Sequence, residues 1–346
     1  MRTADFDYEL PRELIAQHPL PRRDESRLLV LDRAADRIEH RRFPHIAEYL
    51  GAGDLLVLND TQVIPARLVG RRPTGGRVEA LLVAPEGDAW RAMVHCRGRL
   101  RPGEPLAFEG GALACTYRGR RPGGEAELVF DRPPAELLEA LRRVGRAPLP
   151  PYIKRPPEED PHREADRRRY QTVYAARPGA IAAPTAGLHF TPRVLDALEV
   201  RGVRRVTITL HVGRGTFQPV RAERVEDHEM HAEWFDLPQD TAQAVTETRQ
   251  AGGRVVAVGT TVTRVLETVA RRPQWGPARG TTELFIAPGF TFRVTDALVT
   301  NFHLPRSTLL MLVAAFAGAE RVLAAYEEAK RRSYRFYSYG DAMLIL

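Results

Sequence analysis

The sequence predicts a multi-domain α/β protein: a large α/β domain on a mixed sheet, with a small antiparallel β-barrel domain inserted into it. Three observations predict this. From about residue 170 three strand–loop–helix units follow one another, AIAAP–TAGLHF–TPRVLDAL, RVVAVG–TT–VTRVLETVA and ALVTNF–HLPRS–TLLMLVAAFA. Strands alternating with helices give a parallel or mixed sheet covered by helices. Residues 66–150 instead hold six short segments parted by Gly and Pro, ARLVGRR, GRVEALLVAP, AWRAMVHC, EPLAFEGG, ALACTYRG and EAELVF, the texture of a small barrel or sandwich. Because this block interrupts the α/β pattern, residues 1–65 and 151–346 form one discontinuous domain and 66–150 the insert.

Taken in order, FDYELPRELIAQHPL reads as a strand or loop and then a short helix, and RLLVLDRAADRIEHRRF as two strands around a turn. A helix in FPHIAEYLGAGD and a buried strand at 55–58 follow. A helix at 135–143 closes the insert, and the Pro-rich, charge-dense run from Pro148 is an exposed linker or crossover loop. Apolar 180–183 reads as a short strand ended by Pro184, and Thr191-Pro192 starts a helix that Gly202 stops. Val206, Ile208, Leu210 and Val212 alternate with polar residues, so His211 ends a strand on its polar face. Ser307 caps a final helix that is apolar all round.

Composition narrows the function. Hydrophobic content of 43% and charged content of 27% are those of a globular protein. No apolar run approaches the roughly 20 residues of a membrane span, and MRTADFDYEL lacks an export signal. With only Cys96 and Cys115, neither a disulfide scaffold nor a four-cysteine zinc site is available. These features point to the cytoplasm, away from membranes; a monomer is the expected state. Net charge is +7, and the insert supplies +5 of it through 15 arginines against 10 acids. Such a balance favours a polyanion, nucleic acid first. Arg71, Arg72, Arg120 and Arg121 are the expected nucleic-acid contacts on the insert.

Four segments concentrate polar residues where the ligand of an α/β sheet sits, at strand carboxyl ends. They are PTAGLHF, HVGRGTFQPV, VEDHEMHAE and NFHLPRST. Gly213-Arg214-Gly215 follows a strand, but the third glycine of a dinucleotide loop is missing and Pro219 stands where its helix would begin. His228 and His231 have metal-ligand spacing without a fixed third ligand, so no metal is expected. Gly259, Thr260 and Thr261 open a helix whose N–H groups suit a carboxylate or phosphate, unless Thr261 is simply its cap. From residues alone the chain is an α/β enzyme with a basic insert; a non-catalytic RNA-binding protein and a metal-dependent hydrolase are the alternatives.

Together AAPTAGLHFT, TLHVGRGTFQPV, EDHEMHAE, AVGTT, NFHLPRSTLLMLVAAFAG and YRFYSYGDAMLI resemble the S-adenosylmethionine:tRNA ribosyltransferase-isomerase family of queuosine biosynthesis. The N-terminal DFDYELPRELIAQHPLPRRDESRLLVLD, with LVLNDTQVIPARL and RYQTVYA, carries the likeness from Asp5 to the C-terminus. Departures are Arg214 for a usual Ala, Val262-Thr263 for Ser-Val and Gln62 for Arg. The resemblance implies transfer and isomerisation of the ribosyl group of S-adenosylmethionine onto 7-aminomethyl-7-deazaguanine (preQ1) at the wobble position of a tRNA, giving epoxyqueuosine, adenine and methionine. S-adenosylmethionine is then a substrate, and no cofactor is implied. His189 and His211 are the expected catalytic pair, with Asp227, His228 and His231 in reserve. Asn59, Asp60, Thr185, Gly187, Gly213, Gly215, Thr216, Gly259, Thr260, Thr261, Asn301, His303 and Ser307 are the expected substrate contacts.

Overall fold

After three 3₁₀ turns (Thr3–Phe6, Arg12–Leu14 and Arg23–Glu25) the chain forms β1 (Arg27–Asp32), β2 (Arg37–Arg42), one helical turn α1 (Ile46–Tyr49), β3 (Leu55–Asn59) and β4 (Thr61–Val63). The insert supplies β5 (Arg67–Arg71), β6 (Arg77–Glu86), β7 (Ala89–Cys96), β8 (Glu104–Phe108), β9 (Leu113–Arg120) and β10 (Ala126–Phe130), then α2 (Pro134–Val144). Next come α3 (Arg163–Arg169), β11 (Arg177–Ala180), α4 (Pro192–Val200), β12 (Arg204–Leu210), β13 (Glu233–Leu237), α5 (Gln239–Gln250) and β14 (Val255–Val258). The chain ends with α6 (Thr260–Val269), β15 (Ala278–Thr282), β16 (Ala297–Asn301), α7 (Thr308–Ala317), α8 (Ala319–Arg331) and β17 (Ala342–Ile345). This computed structural model describes residues 1–156, 159–213, 220 and 222–346.

Nine strands make one mixed sheet in the order β15-β13-β12-β3-β14-β16-β17-β1-β2. Its centre, β12-β3-β14-β16, is parallel. β17 runs antiparallel to β16 but parallel to β1, so the amino ends of β17 and β1 lie at the carboxyl edge of the parallel strands. The all-apolar start of β3 follows from its position: Leu55 and Val57 pack under the layer of α5, α6, α7 and α8, while Leu56 and Leu58 pack under α1 and α4. A strand covered on both faces has no polar side to show. The insert closes as a six-stranded antiparallel barrel, β10-β7-β6-β5-β8-β9, around its own core of Leu68, Val78, Leu82, Leu106, Phe108 and Leu128. The α/β class, the mixed sheet and the antiparallel barrel are those the sequence predicts.

Local differences have physical causes. The expected N-terminal helix is only the turn Arg12–Leu14, because Pro11 and Pro19 leave too few residues to propagate one. The apolar run at 180–183 is not a strand of the large sheet. The strand there is β11, which pairs parallel with β4 in a separate two-stranded sheet. Its apolar residues are buried by packing instead, Ile181 on the barrel core and Ala183 beside Tyr170. Thr191 and Ser307 are helix caps, accepting from Val194 N (3.3 Å) and Leu310 N (3.2 Å). Thr261 is not a cap: Gly259 holds that position at φ +94°, a conformation that glycine adopts without strain. No single helix among the described residues is long and apolar enough to cross a membrane.

Candidate functional site

The carboxyl ends of β3, β12, β14 and β16 fall on one edge, bringing Asn59 to Thr61, His211, Gly259 to Thr261 and Asn301 to His303 to the same side of the sheet. The connection between β12 and β13 leaves and returns at that edge, so Asp227, His228 and His231 belong to it as well. Ser26, before β1, and Gly340, before β17, complete the rim.

His189 lies in the turn Thr185–His189 and is buried. Both ring nitrogens are engaged: Nδ1 lies 2.8 Å from Ser26 Oγ and Nε2 lies 3.1 Å from Asn301 Nδ2. Asn301 Nδ2 also donates to Tyr337 O (3.1 Å), which fixes that atom as the amide nitrogen. His189 Nε2 is therefore the acceptor, and Nδ1–H donates to Ser26, whose hydroxyl donates to Arg23 O. Burial first, and then the Arg23 and Arg335 guanidiniums, push the imidazole down to about 3, and Phe43 stacks on it at 5.1 Å. This is a neutral, fully bonded ring with no lone pair left for a substrate.

His211 is built differently. Nδ1 lies 2.8 Å from Thr61 Oγ1, the ring stacks on Trp234 at 4.9 Å, and Nε2 has no partner among the described residues. The ring edge lies against Gly179, where an added Cβ would come within 2.5 Å of Nε2. Burial lowers its pKa, Asp60 opposes that shift and Arg177 adds to it, so the ring is a neutral base near pH 7. His189 is anchored to β16 and His211 ends β12, three strand intervals away, or roughly 14 Å of sheet. The two rings of the expected pair therefore stand apart, one with Nε2 unpartnered among the described residues and the other bonded at both nitrogens.

The other sequence candidates divide the same way. Asn59 is wholly buried, donating to Leu210 O and Thr261 Oγ1 and accepting from Thr61 N and Leu210 N. It ties β3 to β12 and to α6, with no capacity left for substrate. Asp60 accepts from Thr209 Oγ1 at 2.6 Å beside His211. Thr185 is half-buried, and a Cβ on Gly187 would collide with the buried Tyr174 hydroxyl, which has no partner among the described residues. Gly213 N donates to Glu233 Oε1 (2.7 Å), and the other Glu233 oxygen pairs with the buried Arg264. At α6 the Gly259 cap leaves the first N–H groups without a side-chain partner among the described residues, as an anion site requires. His303 is buried, bonded to Thr300 Oγ1 (2.6 Å) and pushed down to about 3 by burial, so with Ser307 it is framework. Asp227 and His231 are exposed, His228 packs edge-on against Phe285, and no metal-holding group of three is present among the described residues. Gly215 and Thr216, with Arg214, lie outside the described residues.

On the barrel, Arg72 and Arg121 of the four expected nucleic-acid contacts are held by carboxylates. Arg72 clasps Glu104 with both Nε (2.6 Å) and Nη2 (3.0 Å), and Arg121 pairs with Glu86. Arg71 and Arg120 are exposed. Sequence reading passed over Ser26, Thr61, Gly179 and Trp234, the groups that set the two histidines. Only Thr61 carried a signal, since it directly follows Asn59-Asp60 at a strand end.

The buried histidines predict a pH response. In an unfolded chain each binds a proton near 6.5, but in the fold His189 and His303 do so only near 3. Between those values the unfolded state holds the extra protons, so stability is lost as pH falls below about 6.5, by at most about 1.4 kcal/mol per unit for each ring. Urea unfolding at pH 7.5, 6.0 and 5.0 should show a shallower loss for a His189→Gln/His303→Gln variant than for the parent. Parallel losses would assign the acid sensitivity elsewhere.

Comparison with known proteins gives the family. A family profile described as "Queuosine biosynthesis protein" matches residues 3–345. The chain belongs to that family. It is 54% identical over 349 residues to the S-adenosylmethionine:tRNA ribosyltransferase-isomerase of Anaeromyxobacter sp., covering 100% of this chain and 99% of the relative. It is 52% identical over 347 residues to the enzyme of that name from Thermotoga maritima, covering both chains in full. A crystal structure of S-adenosylmethionine tRNA ribosyltransferase from Thermotoga maritima superposes with a TM-score of 0.57 at 41% identity, covering 99% of this chain and 100% of that one.

Proposed function

We propose that this member of the queuosine biosynthesis family is an S-adenosylmethionine:tRNA ribosyltransferase-isomerase. It moves the ribosyl group of S-adenosylmethionine onto preQ1 at the wobble position of a tRNA, isomerises it to the epoxide of epoxyqueuosine, and releases adenine and methionine. The observation that carries the reading is the identity of 51–54%, over essentially the whole chain, to enzymes bearing that name.

The chemistry needs no redox step. The sulfonium acidifies the neighbouring C5′ protons, so a neutral, oriented base can form an ylide, and the departing adenine requires a proton. His211 is our candidate base, held by Thr61 and Trp234 with Nε2 free and Asp60 alongside to stabilise the imidazolium that forms. The uncapped start of α6 at Gly259, Thr260 and Thr261 suits the methionine carboxylate. His189 holds β16 and the start of β1 in register beneath the substrate.

Incubating the purified chain with S-adenosylmethionine and preQ1-containing tRNA should release adenine and form epoxyqueuosine in equal amounts. No adenine from folded protein, or adenine independent of the modified base, would refute the reading. The cytoplasm is the compartment this activity requires, and we propose that the enzyme works there as a monomer without a cofactor.

A further inference from the structure

The positive charge of the barrel is not spread evenly. Nine of its arginines face a carboxylate within 4 Å: Arg67, Arg72, Arg77, Arg91, Arg118, Arg121, Arg132, Arg142 and Arg146. Arg97, Arg99, Arg101 and Arg120 are exposed and have no ion pair among the described residues. These four gather at one end of the barrel. Strand β10 begins at Ala126 opposite Ala92, so the last residues of β7, up to Cys96, run on without a β10 partner. The gap left between β7 and β9 is a cavity of about 590 Å³, with Tyr117 and Cys96 in its wall and His95, Arg99 and Arg120 lining it. Arg97 and Arg101 stand in the same loop, between β7 and β8. Among the described residues no acid lines the cavity.

We infer that this open end of the barrel binds the sugar–phosphate backbone of the tRNA. Nine guanidiniums are already neutralised by the fold, and of the six others these four stand together here. The guanidinium fork suits phosphate oxygens. The stretch from Arg97 to Arg101 spans up to roughly 13 Å, enough to serve more than one phosphate of a strand. The carboxylates nearby are mostly engaged elsewhere: Glu104 is clasped by Arg72, though it also feels Arg101, and Glu79 is held by Arg67 and Arg77. The inference rests on the tRNA substrate proposed above. It replaces Arg72 and Arg121 by Arg97, Arg99 and Arg101 as backbone contacts and keeps Arg120.

The test uses the full chain with all four arginines changed, Arg97→Ala, Arg99→Ala, Arg101→Ala and Arg120→Ala. A control carries Arg201→Ala, Arg204→Ala, Arg205→Ala and Arg249→Ala at the opposite, amino-terminal edge of the sheet. Binding of a tRNA transcript is measured from 50 to 300 mM KCl. Each lost phosphate contact flattens the plot of log affinity against log salt by about 0.7 to 0.9, so the groove variant should lose roughly three units of slope and the control almost none. Competition by inorganic phosphate at matched ionic strength should leave tRNA binding unchanged, since a single phosphate gains nothing from four spread arginines. An unchanged slope in the groove variant, an equal loss in the control, or displacement of tRNA by inorganic phosphate would overturn the inference. Adenine release is followed in parallel: at saturating tRNA the groove variant should keep its kcat and show a raised KM. Should the unaltered chain release no adenine, the proposed reaction fails by itself, and the salt slopes still decide the groove.

Discussion

His211→Ala is expected to lower the rate of adenine release by about 10²- to 10⁴-fold while tRNA binding stays intact, the loss that follows removal of a positioned general base. Geometry and charge both point to this ring. Thr61 Oγ1 fixes its Nδ1 at 2.8 Å and Trp234 fixes its plane, so little orientational freedom remains to be lost on reaching the transition state. Burial lowers its pKa, which keeps the ring unprotonated near neutral pH. The rate should accordingly fall on acidification as the ring gains its proton and loses its lone pair, and His211→Ala should abolish that limb. Solvent deuterium exchange into C5′ of S-adenosylmethionine reads the proposed step directly, separately from product release. Exchange and turnover near the parent's in a folded His211→Ala protein would move the base to Asp60 or to the Asp227–His231 loop.

The contrast between His211 and His189 shows where sequence reading stops. His189 was read in a loop and His211 at a strand end, and nothing in the sequence separates a ring with a free nitrogen from one bonded at both. That difference comes from Ser26 and Asn301, 163 and 112 residues away in the chain. Ion-pair partners are equally hidden: Arg72 and Arg121 looked available because Glu104 and Glu86 reach them only once the barrel closes. What was legible was what is local or periodic. The caps Thr191 and Ser307 declare themselves beside their helices, and the six short segments of the insert, parted by Gly and Pro, mark the barrel strands. The strand β17 was not legible, since four apolar residues after an aromatic run give no period, yet it sits inside the sheet between β16 and β1. The apolar run at 180–183 failed in the opposite sense: apolarity recorded burial, not pairing.

Glu233→Ala should destabilise the fold by about 3 to 5 kcal/mol, the usual cost of leaving a buried charge unpaired. Glu233 is 6% exposed and its partner Arg264 only 8%. After truncation the guanidinium retains the carbonyls of Leu284 (3.0 Å) and Thr282 (3.3 Å) but no counter-charge. The other oxygen of Glu233 holds Gly213 N at 2.7 Å, where the chain leaves β12 just beyond His211. The same carboxylate thus braces the strand end that carries His211 and, through Arg264, helix α6, whose first turn we propose meets the substrate. A double-mutant cycle with Arg264→Met separates these roles. With Glu233→Ala and Arg264→Met combined the charge penalty vanishes, and stability should recover most of the loss. The bond to Gly213 stays broken in that double variant, so its affinity for S-adenosylmethionine should remain reduced although the fold is restored. Urea unfolding that shows a loss below about 1 kcal/mol for Glu233→Ala would mean that water replaces the carboxylate. A double variant that regains stability and affinity together would mean that the brace at Gly213 plays no part in holding the substrate.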